Sequence, residues 1–501
     1  MRPRALVAAV AMIVWLGEPA AAQDEGASSE PAVEGLLSNL TRVETWRFFE
    51  PPSPDVDPDY TFFANRSDLE VHVRGTRVDL GGGFAYVRVQ ELPTDAIGPG
   101  GLGTGAFYFA SSGLPYSYQV FLTGLTVSAH TADRRRSLTV GRMPYTSGAE
   151  GQNLVSASSR LAVVRRMAID GRLIGTFDWS YYQRRFDGAR AAWSGDRRYG
   201  GAGLFLVTQG GYEESANLTM KKLLVGTAYA GHHHRQGGSS GSDLVAESQL
   251  FGVLYRDRRD IDIRPDNAGI PVVAADITLG AVGGSHVASR RVHGGDLDYA
   301  LWGAGQFGDW YGQAHRAYAV TAQGGYRWRA APARPWLRLG ASYASGDPDG
   351  RDDRHQTFFP MLQETRSYAQ SMVYAQANLR DLFVELQAEP HARVRLRGDL
   401  HGVTLAQAAD RWYQGSGATA REGTFFGYSS RRSSGKRELG TVLEASGDVR
   451  LLPFWSVNAY AGRMWGGPVV RGSFVGDRLF YWYVENVLRL VLPRSPVTGR
   501  P

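Results

Sequence analysis

From about Ser67 the chain alternates apolar and polar residues with a period of two, in short segments separated by Gly, Asp, Asn, Pro and Ser. The clearest segment is Arg393–His401, where Arg393, Arg395, Arg397, Asp399 and His401 share one face and Val394, Leu396 and Leu400 the other. In Leu69–Arg77, Glu70, His72 and Arg74 oppose Val71 and Val73; in Ala85–Gln90, Tyr86, Arg88 and Gln90 oppose Ala85, Val87 and Val89. Arg327 and Arg329 likewise oppose Tyr326 and Trp328, while Trp336–Leu339 is less regular because Trp336 shares the face of Arg338. The last segment, Leu479–Leu492, is long and places Phe480, Trp482, Val484, Leu488 and Leu490 on one face. The pattern predicts an all-β protein of about 16 to 18 strands.

Alternation alone fits two architectures. A soluble sandwich hides the apolar face, whereas a membrane barrel turns it to lipid and gives the charged face to a wet lumen. The N-terminus favours the barrel. Arg2 and Arg4 precede an apolar run from Ala5 to Leu16, and Ala20, Ala21 and Ala22 supply a small-residue cleavage site before Gln23. That run is shorter than the roughly 20 residues of a membrane anchor, so residues 1–22 read as a cleaved Sec-type signal peptide. Residues 23–60 read as a proline- and acid-rich periplasmic leader, with Leu36–Trp46 able to form a short amphipathic helix. Residues 61–492 then form a transmembrane antiparallel β-barrel, and 493–501 a C-terminal tail. Eighteen strands allow about 27 residues for each strand and its connection. Longer connections are expected near 91–115, 232–246, 343–368 and 406–438. With both termini in the periplasm, 466–477 and 406–438 lie outside and Leu451–Pro453 forms a tight inner turn.

Composition agrees with that reading. Mean hydropathy is only −0.28, which a barrel tolerates because half of each strand is polar. There are no cysteines, so hydrogen bonding and burial must hold an exported chain together. Of 55 basic residues only Lys221, Lys222 and Lys436 are lysine. GC-rich coding accounts for much of that excess, yet arginine also offers a permanent charge and a planar fork that matches a carboxylate. Arg393, Arg395 and Arg397 stand about 6.6–6.8 Å apart along one strand face, a spacing that focuses anions in a wet lumen. Asp399 and His401 on that face orient or temper them.

Other motifs carry little. Gly98–Gly103 fits G-x-G-x-x-G but lacks the strand-turn-helix setting of a nucleotide site. His232-His233-His234 reads as a solvated loop edge rather than a metal site. Asp347–Gly350 begins like a calcium loop, but the glycine comes early and the bidentate Glu is missing. No G-x-S-x-G or H-E-x-x-H is present. No enzymatic activity, cofactor, metal or nucleic-acid partner is therefore expected.

Three stretches together resemble the alginate export family of outer-membrane proteins. The first is LTVGRMPY (Leu138–Tyr145) with Asp170–Trp193. The second runs from Ser345–Pro360 through Asn378–Pro390 and Asp399-Leu400-His401 to Asp410–Gly417, and the third is Glu438–Leu492. The resemblance covers roughly Asp68 to Leu492. It implies a monomeric 18-stranded barrel with an electropositive lumen that selects an anionic uronate polymer, working with a periplasmic scaffold. It maps the family's selectivity arginines to Arg142, Arg185 and Arg190, with Asp187 as the acidic partner. Here Met143-Pro144-Tyr145 follows Arg142 where the family pattern has a Gln, and no counterpart of the family's periplasmic plug loop is found.

The expectation is an outer-membrane, anion-selective channel for an acidic, alginate-like polysaccharide. Its lumen is lined by Arg74, Arg88, Arg142, Arg185, Asp187, Arg190, Arg327, Arg338, Arg393, Arg395, Arg397, Asp399 and His401. Lipid and lipopolysaccharide are the outward partners. The alternative is a general porin for small anionic nutrients.

Overall fold

The computed structural model describes residues 32–98, 105–151, 159–178, 180–211, 215–236, 244–266, 276–364 and 371–496. Eighteen long strands form one antiparallel wall. They are β1 Ala32–Arg47, β2 Asp59–Arg74, β3 Val78–Gln90, β4 Tyr116–His130, β5 Arg136–Met143 and β6 Phe186–Ser194. Next come β7 Arg198–Thr208, β8 Thr219–Gln236, β9 Leu244–Asp257, β10 Ile277–Val292, β11 Gly295–Trp310 and β12 Gln313–Trp328. The last six are β13 Trp336–Ala344, β14 Leu379–His391, β15 Val394–Leu405, β16 Glu438–Leu452, β17 Trp455–Gly466 and β18 Arg478–Pro496. Each pairs with its neighbour in sequence, and β1 closes the cylinder against β18 from Ala32↔Pro496 to Arg47↔Phe480. Closure leaves no sheet edge, the condition for a strand-built wall in lipid. No helix among the described residues is long and apolar enough to cross a membrane.

The connections are sorted by length. Turns such as 75–77, 195–197, 293–294 and 453–454 are short and share one end with both chain termini, whereas 91–115, 144–185, 345–378 and 406–437 lie at the other. Short turns mark the periplasmic end and long loops the outer end. The turn expected at Leu451–Pro453 and the outer loops at 406–438 and 466–477 agree with this order.

Two boundaries differ from the sequence reading. Residues 32–47 are the sealing strand of the barrel, not leader or helix. Leu37 faces lipid while Glu34, Arg42 and Glu44 face inward, an alternation disguised by apolar Leu36, Leu40 and Trp46 on the inward face and polar Asn39, Thr41 and Thr45 on the outward one. The last strand also continues past Leu492 to Pro496, because it needs that length to pair with Ala32 and Val33. The expected signal peptide and part of the leader fall outside the described residues, as do most of the 98–103 glycine motif and the end of the tail. His232–His234 belong to β8, not a loop edge.

The sense of the alternation reverses along the strands. In β3, Asp79 faces inward and Val78 and Leu80 outward near the periplasm; near the outer rim Ala85, Val87 and Val89 are buried inside and Arg88 points out. Phe62 and Ala64 versus Asp68 and Glu70 repeat this in β2, as do Tyr255 versus Glu247 in β9. The reason is packing: the outer half of the barrel is filled by its own loops, so its inner face is a protein core. Trp46 stacks on Tyr481 at 3.8 Å between ring centroids, and Phe48, Phe49 and Phe474 continue that core.

Deleting residues 32–47 exposes the edges of β2 and β18. The expected outcome is loss of the compact form that folded barrels show as a heat-dependent mobility shift on gels; retention of that shift would refute the closure.

Candidate functional site

The inner half of the lumen is lined by charged side chains and narrowed by one element. Loop 144–185 folds inward and carries the helix Arg160–Ala168, α2 in chain order after α1, Gly105–Ser112. Ser159 caps α2 by accepting a hydrogen bond from the Ala162 N–H at 3.1 Å. Arg165 lies 3.1 Å from Glu247 of β9 and 3.7 Å from Asp170. Arg160 pairs with Asp296 of β11, and Arg172 donates to Thr321 Oγ1 of β12 at 3.0 Å. These contacts hold the helix against β9–β12. Loop 345–378 locks it from above: the Leu362 N–H donates to the Leu173 carbonyl and the Gly175 N–H to the Leu362 carbonyl, both at 2.9 Å. The Glu364 carboxylate accepts backbone N–H bonds from Phe177 and Asp178. A Cβ at Gly171 would sit 2.6 Å from Glu364, so only glycine admits that carboxylate.

The passage therefore runs between α2 and the uncovered wall, where β15–β18 and β1–β4 keep half-exposed inward residues. Arg74, Arg327, Arg338, Arg395, Arg397, Asp399 and His401 face inward, and every arginine among them has a carboxylate. Arg74 lies 3.1 Å from Glu34, Arg327 lies 2.8 Å from Glu389, and Arg395 lies 3.6 Å from Glu389. Arg397 bridges Asp399 at 2.7 Å and Glu385 at 3.1 Å. Arg338 sits behind α2, 3.7 Å from Asp298 and 3.9 Å from Glu385, and His401 is buried 3.1 Å from Asp381. The wall is a mosaic of opposite charges, not a bare cationic ladder. Arg393 lies in the periplasmic turn, where it donates to the Leu451 carbonyl at 3.3 Å.

The segment mapped from the family divides in two. Arg190 faces inward, donating to the Tyr229 hydroxyl at 3.1 Å with its guanidinium over the Tyr145 ring. Arg142 and Asp187 pair at 2.6 Å, joined by Asn217 and Thr219. They alternate with Met143 and Phe186, which are buried in the interior core, so this pair lies on the opposite face of the wall. Arg185 is buried and donates to the Thr123 carbonyl and Gln183 Oε1, both at 2.9 Å. Arg88, expected in the lumen, is exposed on the outer face because the core claims Val87 and Val89. These positions do not converge on one constriction.

Sequence reading missed the acids. Asp381, Glu385 and Glu389 share one face of β14 at a spacing of four, with Gln387 between the last two, and β15 pairs alongside, so the same alternation that singled out Arg395 and Arg397 also marked them. It missed α2 as well, whose basic residues Arg165 and Arg166 bear no strand period. Arg166 lies within electrostatic range of Arg395.

Residues 273–476 match the alginate export family. The match spans β10 to β17. No curated protein matches the chain in sequence. Among solved structures, the outer membrane protein OpdK of Pseudomonas aeruginosa is similar at 12% identity, covering 91% of this chain and 99% of that one with a TM-score of 0.51. OccK9 (OpdG) of the same organism has 12% identity, 92% and 98% coverage and a TM-score of 0.55. OccAB1 of Acinetobacter baumannii has 9% identity, 92% and 97% coverage and a TM-score of 0.56. The fold is that of an outer-membrane channel.

The loop anchor has a pH dependence. Burial pushes the Asp170 carboxyl up to about 6; Arg165 opposes the rise, and Glu150 and Glu247 add to it. A carboxyl raised in the docked loop is stabilised there by protonation, so docking is favoured below about pH 6 and weakened as pH rises through it. Conductance jumps of single channels should be rarer at pH 5 than at pH 7, and Asp170→Asn should hold them at the low frequency at both. An unchanged pH profile in that variant would exclude Asp170 as the titrating group.

Proposed function

We propose that this outer-membrane protein is an anion-selective channel, not an enzyme, that passes an acidic polysaccharide of the uronate, alginate-like type. The observation that carries the reading is the set of inward arginines that stay partly exposed on the wall, Arg327 and Arg395, with Arg166 of α2 within electrostatic range of Arg395. A polyuronate presents one carboxylate per sugar, and guanidinium groups bind carboxylates through paired hydrogen bonds without losing charge. The acids Glu385, Glu389 and Asp399 have a part in this. They compete with the solute for Arg395 and Arg397, which keeps each contact weak enough to release, as conduction requires. The family match over residues 273–476 supports the polymer class.

A second reading, a porin for small anionic nutrients, is favoured by the loop-filled outer half, which leaves a narrow route. OpdK has been solved with vanillate, a small aromatic carboxylate. Solute length separates the two readings. On the outer surface, Arg47, Arg88, Arg256, Arg316, Arg380 and Arg463 each stand on the outward face near the outer end of a strand, which supports contact with lipopolysaccharide phosphates. Export through the signal peptide 1–22, a monomeric state and a periplasmic scaffold at the short-turn end complete the proposal.

In planar bilayers the channel should prefer anions, and uronate oligomers added to one side should block it. Arg166→Glu combined with Arg395→Glu should lower the anion-to-cation permeability ratio several-fold. Cation selectivity of the natural protein would overturn the reading. Free passage of small carboxylates without block by the oligomers would favour the nutrient porin.

A further inference from the structure

The histidine run in β8 finds a place outside the lumen. His233 turns inward, 3.3 Å from Glu247, whereas His232 and His234 point outward with their rings 4.5 Å apart. His234 Nε2 is hydrogen-bonded to Ser248 Oγ at 3.0 Å, Ser248 Oγ to His286 Nδ1 at 2.8 Å, and His286 Nε2 to the Tyr299 hydroxyl at 3.1 Å. The outward direction follows from alternation: Leu250, Val282 and Leu301 share these faces and are 71%, 57% and 48% exposed. A continuous polar chain thus crosses β8 to β11 on the side of the wall that meets lipid. Polar groups there are costly unless partnered, and the chain partners its members with one another.

The chain borders a groove. A depression of about 1290 Å³ lies on the outer side of the wall; it begins at Arg198, His232, Ser248 and His286, passes over Ala230, Gly284 and Gly303 between Leu250 and Val320, and continues to Tyr343 and Arg380. Arg198 stands at its β7 end, exposed and without an ion pair among the described residues. Arg197 and Arg198 both lie within electrostatic range of His232. Arg198 follows the turn 195–197 at the periplasmic end, so this basic end of the groove is at the inner leaflet, and the apolar middle leads across the wall to Arg380 near the outer end of β14. No cluster of residues able to hold a metal ion occurs among the described residues, which leaves hydrogen bonding and charge as the chemistry of the polar chain.

We propose that this outward groove binds one phospholipid of the inner leaflet, its phosphate at Arg197, Arg198 and His232, its glycerol region along Ser248 and His286, and an acyl chain over Ala230, Gly284 and Gly303. Three features specify that occupant together. The basic end matches a phosphate diester. The polar chain supplies donors and acceptors at the depth of ester groups. The small residues leave a channel whose rims, Leu250 and Val320, contact a hydrocarbon chain from both sides. A second copy of the chain would have to cover the polar chain and the free arginine with complementary acids.

Native mass spectrometry of the full protein in a mild detergent supplied with phosphatidylglycerol tests the site. The natural protein should retain one lipid. Arg198→Gln with His286→Leu should lower the bound fraction at least tenfold, and Ala322→Phe, which fills the groove from its lipid-facing floor, should do the same. Both should keep the heat-dependent mobility shift of the folded barrel, and Leu337→Ala, outside the groove, should retain the lipid as the natural protein does. Equal lipid retention in all variants would overturn the proposal. So would a dimer or trimer of the natural protein that Ala322→Phe dissociates, since that would assign the groove to a second copy.

Discussion

Everything in this barrel follows from the requirement that a wall in lipid leave no backbone donor or acceptor unpaired. The pairing of β1 with β18 meets it, and in doing so fixes the parity of every strand. Once register is set, each side chain has only two destinations, and a shift of one residue would send the charges of β15 into lipid and its leucines into water. Thr45 and Trp482, Arg42 and Glu485, and Leu37 and Leu490 are brought opposite one another by that single seam. The ion pair Arg42–Glu485, at 2.6 Å and largely buried, bridges the first and last strands and reinforces the register.

Parity then interacts with the loops. The loops at the outer end are long enough to fold back inside, and where they do, the inner face becomes a dry core. That is why inward positions change from Asp68 and Glu70 to Phe62 and Ala64 along one strand. It also explains why arginines such as Arg88 and Arg316 point outward at the outer rim, away from that dry core. The half of the lumen nearest the periplasm keeps its water and its charges. Packing is concentrated at one end and charge at the other, so the core that holds the loops and the charged lining of the lumen are separated along the axis.

Much of this was legible in the chain. A spacing of two located the strands, and the face assignment of Arg395, Arg397, Asp399 and His401 could be made from alternation alone. The channel fold needs the N-terminal signal as well as the pattern, and the family resemblance rests on the stretches Leu138–Tyr145 with Asp170–Trp193, Ser345–Gly417 and Glu438–Leu492. The failures share one cause. Alternation reports that two faces differ, not which solvent each one meets, so Arg88 was sent to the lumen by a rule valid only where the lumen is wet. Arg142 and Asp187, placed in the lumen by the family resemblance, lie on the opposite face for the same physical reason, because Met143 and Phe186 belong to the core. The strand 32–47 was hidden by Leu36, Leu40 and Trp46 among its inward residues and Asn39, Thr41 and Thr45 among its outward ones, and α2 by having a helical period within a β protein. Nothing local in Arg160–Ala168 announces that it will reach Glu247 and Asp296, residues remote in sequence.

The pairing of the lumen arginines changes what selectivity must mean here. A row of unpaired guanidinium groups would hold a polyanion tightly and conduct poorly. With Glu385 between Arg338 and Arg397, and Glu389 shared by Arg327, Arg334 and Arg395, each arginine already has a resident carboxylate in a partly hydrated setting. A solute carboxylate gains only the difference between itself and that resident. Exchange of one carboxylate for another leaves the charge count at each arginine unchanged, so the barriers between successive positions stay low. On the proposed anion-selective reading, selection against cations comes from the arginines that stay partly open to the lumen, such as Arg327 and Arg395. The docking of α2 through Arg165 and Glu247 decides how much of that wall is left uncovered.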